Sequence, residues 1–185
     1  YYVIKEKNAG MTIDGLAYST TEYKVTVTVI DDEGSVYADA SVIGATTSSL
    51  DFTNTYTVGN TSTSFEGTKT LNSVSGNRVL NANDFTFELY KTSESFEISP
   101  SALMSAKNDA DGKFAFNNVE FTEAGTYYFV IKENSTSPIG GVVYDDTIYH
   151  ITVTISDNGK GSLSVSDTSI VKVNGDSEKA AQTIA

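Results

Sequence analysis

The sequence predicts an all-β fold, an antiparallel sandwich built from tandem copies of one module, and three observations carry that prediction. Threonine, serine, valine, tyrosine and phenylalanine are abundant, with 11 tyrosines and 9 phenylalanines against 2 prolines, a balance that favours strands over helices. Short segments alternate apolar and polar residues and are divided by Gly, Asn and Asp turns. The chain also repeats itself.

The repeat sets the domain organisation. Tyr1-Tyr2-Val3-Ile4-Lys5-Glu6 is echoed by Tyr128-Phe129-Val130-Ile131-Lys132-Glu133, an offset of 127. Gly15-Leu16-Ala17-Tyr18 returns as Gly141-Val142-Val143-Tyr144, and Tyr23 to Asp31 returns as Tyr149 to Asp157, both at 126. Collinear matches of this kind mark a repeat architecture. Residues 1–56 are therefore expected to be the C-terminal part of one module, 57–63 a polar connector, and 64–185 a second module. The first module is expected to lack what precedes Tyr1, and the last strand of the second is expected past Ala185.

Within the second module Phe85, Phe87 and Leu89 alternate with Thr86 and Glu88. Phe114 and Phe116 follow the turn Asp109-Ala110-Asp111-Gly112, and Val119 and Phe121 precede Ala124-Gly125. Tyr127 to Glu133, Tyr149 to Ile155 and Ser162 to Val165 complete the strands. Such spacing reads as an immunoglobulin-like sandwich. A single helical turn is expected near Ser101 to Ala106.

Charge and composition exclude several functions. A formal net charge of −12 repels phosphate backbones and anionic lipid, so neither nucleic acid nor a membrane surface is an expected partner. No apolar run is long enough to span a bilayer. With no cysteine there is no disulfide, thiol nucleophile or thiolate metal site.

Three polar residues fall on apolar rows, because side chains alternate faces along a strand. Lys69 shares its row with Phe65, Gly67 and Leu71. Glu133 ends the row of Tyr127, Phe129 and Ile131, and its copy Glu6 follows Tyr2 and Ile4. Asn54 sits between Phe52 and Tyr56. Each alone reads as a strand-end group reaching water, and Lys69 with a glutamate reads as a structural ion pair. Together they suggest a shared site. Burial disfavours charge on amine and carboxylate alike, and a neutral amine is a nucleophile. Lysine could attack the asparagine side-chain carbon while glutamate shuttles protons, polarises the carbonyl and ammonia leaves, giving an intramolecular isopeptide bond. The folded core would supply the effective concentration.

The ordered set Gly67-Thr68-Lys69, Asp84-Phe85-Thr86-Phe87-Glu88-Leu89, Gly112-Lys113-Phe114-Ala115-Phe116, Gly125-Thr126-Tyr127-Tyr128, Val130-Ile131-Lys132-Glu133, Tyr144-Asp145 and Tyr149-His150-Ile151-Thr152-Val153 resembles the streptococcal pilin isopeptide-linkage domain. That module builds major-pilin T-antigens and many Gram-positive adhesin stalks. The resemblance implies a collagen-adhesin B-type sandwich with Lys69 as nucleophile, Glu133 as catalytic acid and an acceptor asparagine past Ala185. For the preceding module it implies Glu6 as acid and Asn54 as acceptor, the lysine lying before Tyr1. It further implies a cell-wall-anchored extracellular stalk or pilus shaft without cofactor or metal. The implied partners are neighbouring repeats, sortase-linked pilin subunits or a host surface ligand. Neither module holds a complete triad, so no bond is expected within either. The alternative is that the strand around Asn54 serves Lys69 and Glu133, in the same chain or by exchange between chains.

An enzyme acting on an external substrate is the rival class. The single histidine, His150, falls on the wet row with Thr152 and Thr154 and matches Lys24, which reads as a surface residue rather than a catalytic base. The oxygen-rich Asn108 to Gly112 lacks the downstream glutamate of a calcium loop and reads as a hairpin turn, as do Asp31-Asp32-Glu33-Gly34 and Asp157-Asn158-Gly159. A ligand-binding adhesin domain on the same scaffold is the other alternative, but it should carry a large non-repeating insertion, and none interrupts the repeat.

Overall fold

Alternation with a period of two builds both modules, since each strand must bury one face. A computed structural model describes residues 1–43, 50–174 and 177–180. Two compact units emerge, one of Tyr1–Val58 with Gly159–Ser162, the other of Gly59–Asn158 with the residues from Leu163 on. Among the described residues there is no α-helix, and every strand pairing is antiparallel.

The first unit contains β1 (Tyr2–Lys5), β2 (Thr12–Ile13), β3 (Leu16–Ala17), β4 (Glu22–Asp32), β5 (Ser35–Ile43) and β6 (Thr55–Tyr56). They form two three-stranded sheets, ordered β1-β4-β5 and β2-β3-β6. The Asp31 to Gly34 run is the expected turn. Glu33 and Gly34 both take positive φ, 47° and 94°, which matches the twist of the β4–β5 hairpin. Tyr23 and Val25 on β4 are buried.

The second unit contains β7 (Thr61–Thr68), β8 (Thr86–Thr92), β9 (Met104–Lys107), β10 (Lys113–Phe121), β11 (Gly125–Asn134), β12 (Ile148–Asp157), β13 (Leu163–Asn174) and β14 (Ser177–Ala180). A six-stranded sheet ordered β14-β13-β12-β11-β8-β9 is accompanied by the β10-β7 pair. Phe129 and Ile131 of β11, Ile151, Val153 and Ile155 of β12, and Phe87 and Leu89 of β8 are buried, as are Phe65 of β7 and Phe116, Val119 and Phe121 of β10. The two layers meet through aromatic contacts, with Phe129 5.6 Å from Phe65 and 6.2 Å from Phe121. Gly67 makes room for this packing. A Cβ there would overlap the Phe114 ring, which stacks on Phe87 at 3.7 Å.

Several details depart from the sequence reading. Thr61 to Thr63, assigned to the connector, pair with Val119 to Phe121 and open β7. Phe114-Phe116 and Val119-Phe121 belong to one strand. A bulge between Phe116 and Val119, with Asn118 at φ 57°, lets Phe116, Val119 and Phe121 all face inward despite their odd spacing. Instead of a helical turn near Ser101 to Ala106, Met104 to Lys107 pair with Leu89 to Thr86. Edge pairing there outweighs a weak local helix preference. The final strand expected past Ala185 lies outside the described residues.

His150 is not a bare surface residue. Phe96, held at φ 55°, folds over the outer face of β11 and β12 and stacks on the His150 ring at 4.0 Å. The same face holds Tyr90, 6% exposed, whose hydroxyl donates to Glu88 Oε2 at 2.5 Å. Burial, reinforced by this bond and the carboxylate's charge, pushes the Tyr90 phenol up to about 12. An ordinary phenol titrates near 10, so the folded state favours the neutral form. Its contribution to stability is present below pH ~10 and is lost as pH rises through about 12. Alkaline absorbance titration should show Tyr90 ionising after the exposed tyrosines, a late component absent from Tyr90→Phe. Co-titration with the others would contradict this packing.

Candidate functional site

In the second unit the period-two alternation of β7 continues past its last strand residue. The Lys69 N–H donates to Gly112 O at 2.8 Å, which keeps Lys69 on the inward row of Phe65 and Gly67. Gly112 permits this approach. It sits at φ 83°, and any Cβ would overlap the Lys69 carbonyl oxygen. The loop before it is the expected turn, Asp109 Oδ1 accepting from the N–H groups of Asp111 and Lys113 at 2.9 and 2.8 Å.

Lys69 Nζ lies 2.7 Å from Glu133 Oε2, the two side chains being 11% and 3% exposed. The ammonium also stands 4.5 Å from the centroid of the Phe85 ring. Glu133 Oε2 accepts a second bond, from the Asp145 N–H at 3.2 Å. Glu133 Oε1 is buried and has no hydrogen-bond partner among the described residues. Hydrogen bonding from Thr147 is the main cause holding the Asp145 carboxyl below its ordinary range, and the Lys69 charge adds to it. A cleft of about 340 Å³ opens on the pair, lined among others by Phe114, Asp145 and Tyr149.

The first unit brings Glu6 and Asn54 together. Asn54 Nδ2 donates to Glu6 Oε1 at 2.9 Å. The Ser19 N–H donates to Glu6 Oε2 at 2.9 Å and to Asn54 Oδ1 at 2.8 Å. The segment carrying Asn54 is held by Tyr23, whose hydroxyl donates to Asp51 O at 2.9 Å and accepts from Asp51 N–H at 3.0 Å, while its ring meets Phe52 edge-on at 5.4 Å. Beyond this, the β6 segment pairs with β3. Tyr23→Phe removes both hydrogen bonds, a loss of about 1–3 kcal/mol. Amide exchange at Asp51 and Tyr56 should accelerate by roughly one to two orders of magnitude, since about 1.4 kcal/mol is tenfold; unchanged exchange would show that Tyr23 does not hold the segment.

The two units thus display complementary parts of one arrangement. Ser19 and Asp145 correspond at the same offset as Tyr18 and Tyr144, and each donates its N–H to Oε2 of its glutamate. At the other oxygen the units differ. Glu6 Oε1 holds the Asn54 amide, whereas Glu133 Oε1 has no hydrogen-bond partner among the described residues. Lysine and acid meet in one unit, acid and asparagine in the other. The geometry also differs from the expected polarisation of the carbonyl by the acid: Glu6 touches the amide nitrogen, and the carbonyl oxygen is gripped by Ser19. Nothing in the residue types marked Ser19, because its contribution is a backbone N–H placed by a loop.

Compared with known proteins, no curated protein matches the chain. The family model described as the Spy0128-like isopeptide containing domain (FctA) matches residues 1–57 and 65–181. The matches cover most of both units, with the all-β architecture and the inward Lys69 and Glu133 described above; Asn54, expected on an apolar row with Phe52 and Tyr56, is instead exposed, because the short β6 end of that segment leaves it at the rim. The chain therefore belongs to the Spy0128-like isopeptide-containing domain family, the structural domains of streptococcal pilins.

Proposed function

We propose that the chain is a shaft or stalk module of a Gram-positive surface protein, made rigid by self-generated lysine–asparagine bonds assisted by glutamate. The observation that supports this most is the buried Glu133 Oε1, without a hydrogen-bond partner among the described residues and the counterpart of the oxygen that holds the Asn54 amide in the first unit. A final strand carrying asparagine, in the position the Asn54 segment takes beside Glu6, would meet Lys69 there. Tyr149, the counterpart of the Tyr23 that holds the Asn54 segment, already lines the cleft.

The chemistry follows from the contacts. A proton passes from Lys69 Nζ to Glu133 Oε2 along their 2.7 Å contact, leaving a neutral amine and a carboxylic acid in a cleft that the acceptor strand would fill. The amine attacks the asparagine Cγ. The carboxylic acid gives its proton to the amide nitrogen, which departs as ammonia, and the carboxylate so formed takes the proton that the new nitrogen must lose. The reaction consumes no external substrate and turns over once. Glu6 and Asn54 play the same acid and acceptor roles in the first unit. In a polypeptide extended past Ala185 through the acceptor strand, Glu133→Gln should leave Lys69 unlinked while the parent loses one ammonia. Ammonia loss by the variant at the parental rate would refute the role of Glu133.

A further inference from the structure

The glutamate is not placed to stabilise the negative charge that develops on the asparagine oxygen during attack. In the first unit both of its oxygens are committed, Oε1 to Asn54 Nδ2 and Oε2 to the Ser19 N–H. The atom at Asn54 Oδ1 is the Ser19 nitrogen, at 2.8 Å. An N–H already bonded to this oxygen in the resting amide stands next to the place where the oxyanion would form. The amide is also fixed in orientation, since its NH₂ faces a carboxylate and its oxygen faces an N–H, so the reversed placement would set like groups against each other.

We infer that the backbone N–H of Ser19 is a catalytic group, the oxyanion donor for the Asn54 carbonyl, and that the Asp145 N–H holds the same place in the second unit. The inference deepens, and rests on, the proposed self-crosslinking reading. The sequence difference between Ser19 and Asp145 is consistent with it, because a main-chain donor is indifferent to the side chain it carries. The Ser19 hydroxyl is occupied elsewhere, accepting from the Thr21 N–H and bonding to the Thr21 hydroxyl. This turn aims the Ser19 N–H inward.

A consequence is that Asn54 is an activated acyl donor toward a small external amine. Asn54 is exposed, so a nucleophile can reach Cγ without opening the unit. With hydroxylamine, the nucleophile's nitrogen bonds to Cγ and loses a proton, the amide nitrogen gains one through Glu6 and leaves as ammonia, and Asn54 becomes a hydroxamate. The chain is then heavier by one oxygen atom.

The test uses the 185-residue chain and follows hydroxamate formation at Asn54 by peptide mass mapping, native and in denaturant. Ser19 is replaced through its α-hydroxy-acid analogue, which turns the N–H into an ester oxygen and keeps the side chain; Glu6→Gln is run in parallel, and circular dichroism verifies that each variant is folded. The expected result is faster reaction at Asn54 in the native chain than in denaturant, and a loss of about 10²-fold or more in the ester variant, the usual effect of removing one oxyanion donor. A folded ester variant that reacts at the native rate while Glu6→Gln is slowed overturns the N–H role and leaves the glutamate reading intact. Native Asn54 reacting no faster than in denaturant overturns both.

Discussion

Lys69→Ala, in a polypeptide extended through the proposed acceptor strand, is expected to abolish the cross-link and to lower the melting temperature by roughly 12 °C or more. The bond would close a loop of more than 110 residues between Lys69 and a position past Ala185. Chain entropy then contributes about 4 to 5 kcal/mol, by analogy with disulfides. In the unlinked 185-residue chain, where Lys69 is still an ammonium, removing it instead leaves Glu133, with a side chain 3% exposed, without its counter-charge, and breaking a buried pair costs about 3 to 5 kcal/mol. For a module of this size each kcal/mol moves the midpoint by roughly 3 to 5 °C. In the 185-residue chain alone, only the ion-pair part should appear. The comparison therefore separates covalent from electrostatic stabilisation by differential scanning calorimetry. Equal melting of the extended parent and its Lys69→Ala variant would show that no covalent tie joins the first and last strands, leaving tension between them to ladder hydrogen bonds alone.

Gly112→Val should be nearly as damaging without touching any reacting group. Position 112 has φ 83°, and an added Cβ overlaps the Lys69 carbonyl oxygen and comes within 3.1 Å of Leu80 Cδ2. A β-branched residue at positive φ is strained even in open space. Backbone must therefore shift, weakening the 2.8 Å bond from the Lys69 N–H to Gly112 O that keeps Lys69 on the inward row. A destabilisation of about 4 kcal/mol or more is expected, and in the extended polypeptide ammonia loss should slow. Gly34→Ala is the control. Its φ is 94° but no atom lies near the added methyl, so it should cost only about 1–2 kcal/mol from left-handed strain. Similar denaturant midpoints for the two variants would show that close approach at Gly112 is unimportant.

The strand rows were legible because a period of two leaves little freedom once one face is buried. Phe65, Gly67 and Lys69 fall inward together, as do Phe129, Ile131 and Glu133. The repeat made Glu6 recognisable as the copy of Glu133. What the sequence did not disclose depends on backbone geometry. The Asn117-Asn118 bulge looks like a break between two strands because it resets the alternation. Met104 to Lys107 becomes a strand only by pairing with β8. Phe96 covers His150 from a loop whose path no periodicity encodes. The division of labour around Asn54 was hidden for the same reason: side-chain patterning predicts an acid beside an amide, but not which amide atom it meets.

A covalent bond made by the module itself removes one ammonia, a change that accurate mass of the protein isolated from the cell surface reads without any assumption about stability. Peptide mapping of the same sample should join the Lys69 peptide to an asparagine-bearing peptide, with the mass lower by one ammonia for each completed module. An intact mass equal to that of the unmodified chain, with Lys69 recovered as a free side chain, would contradict it.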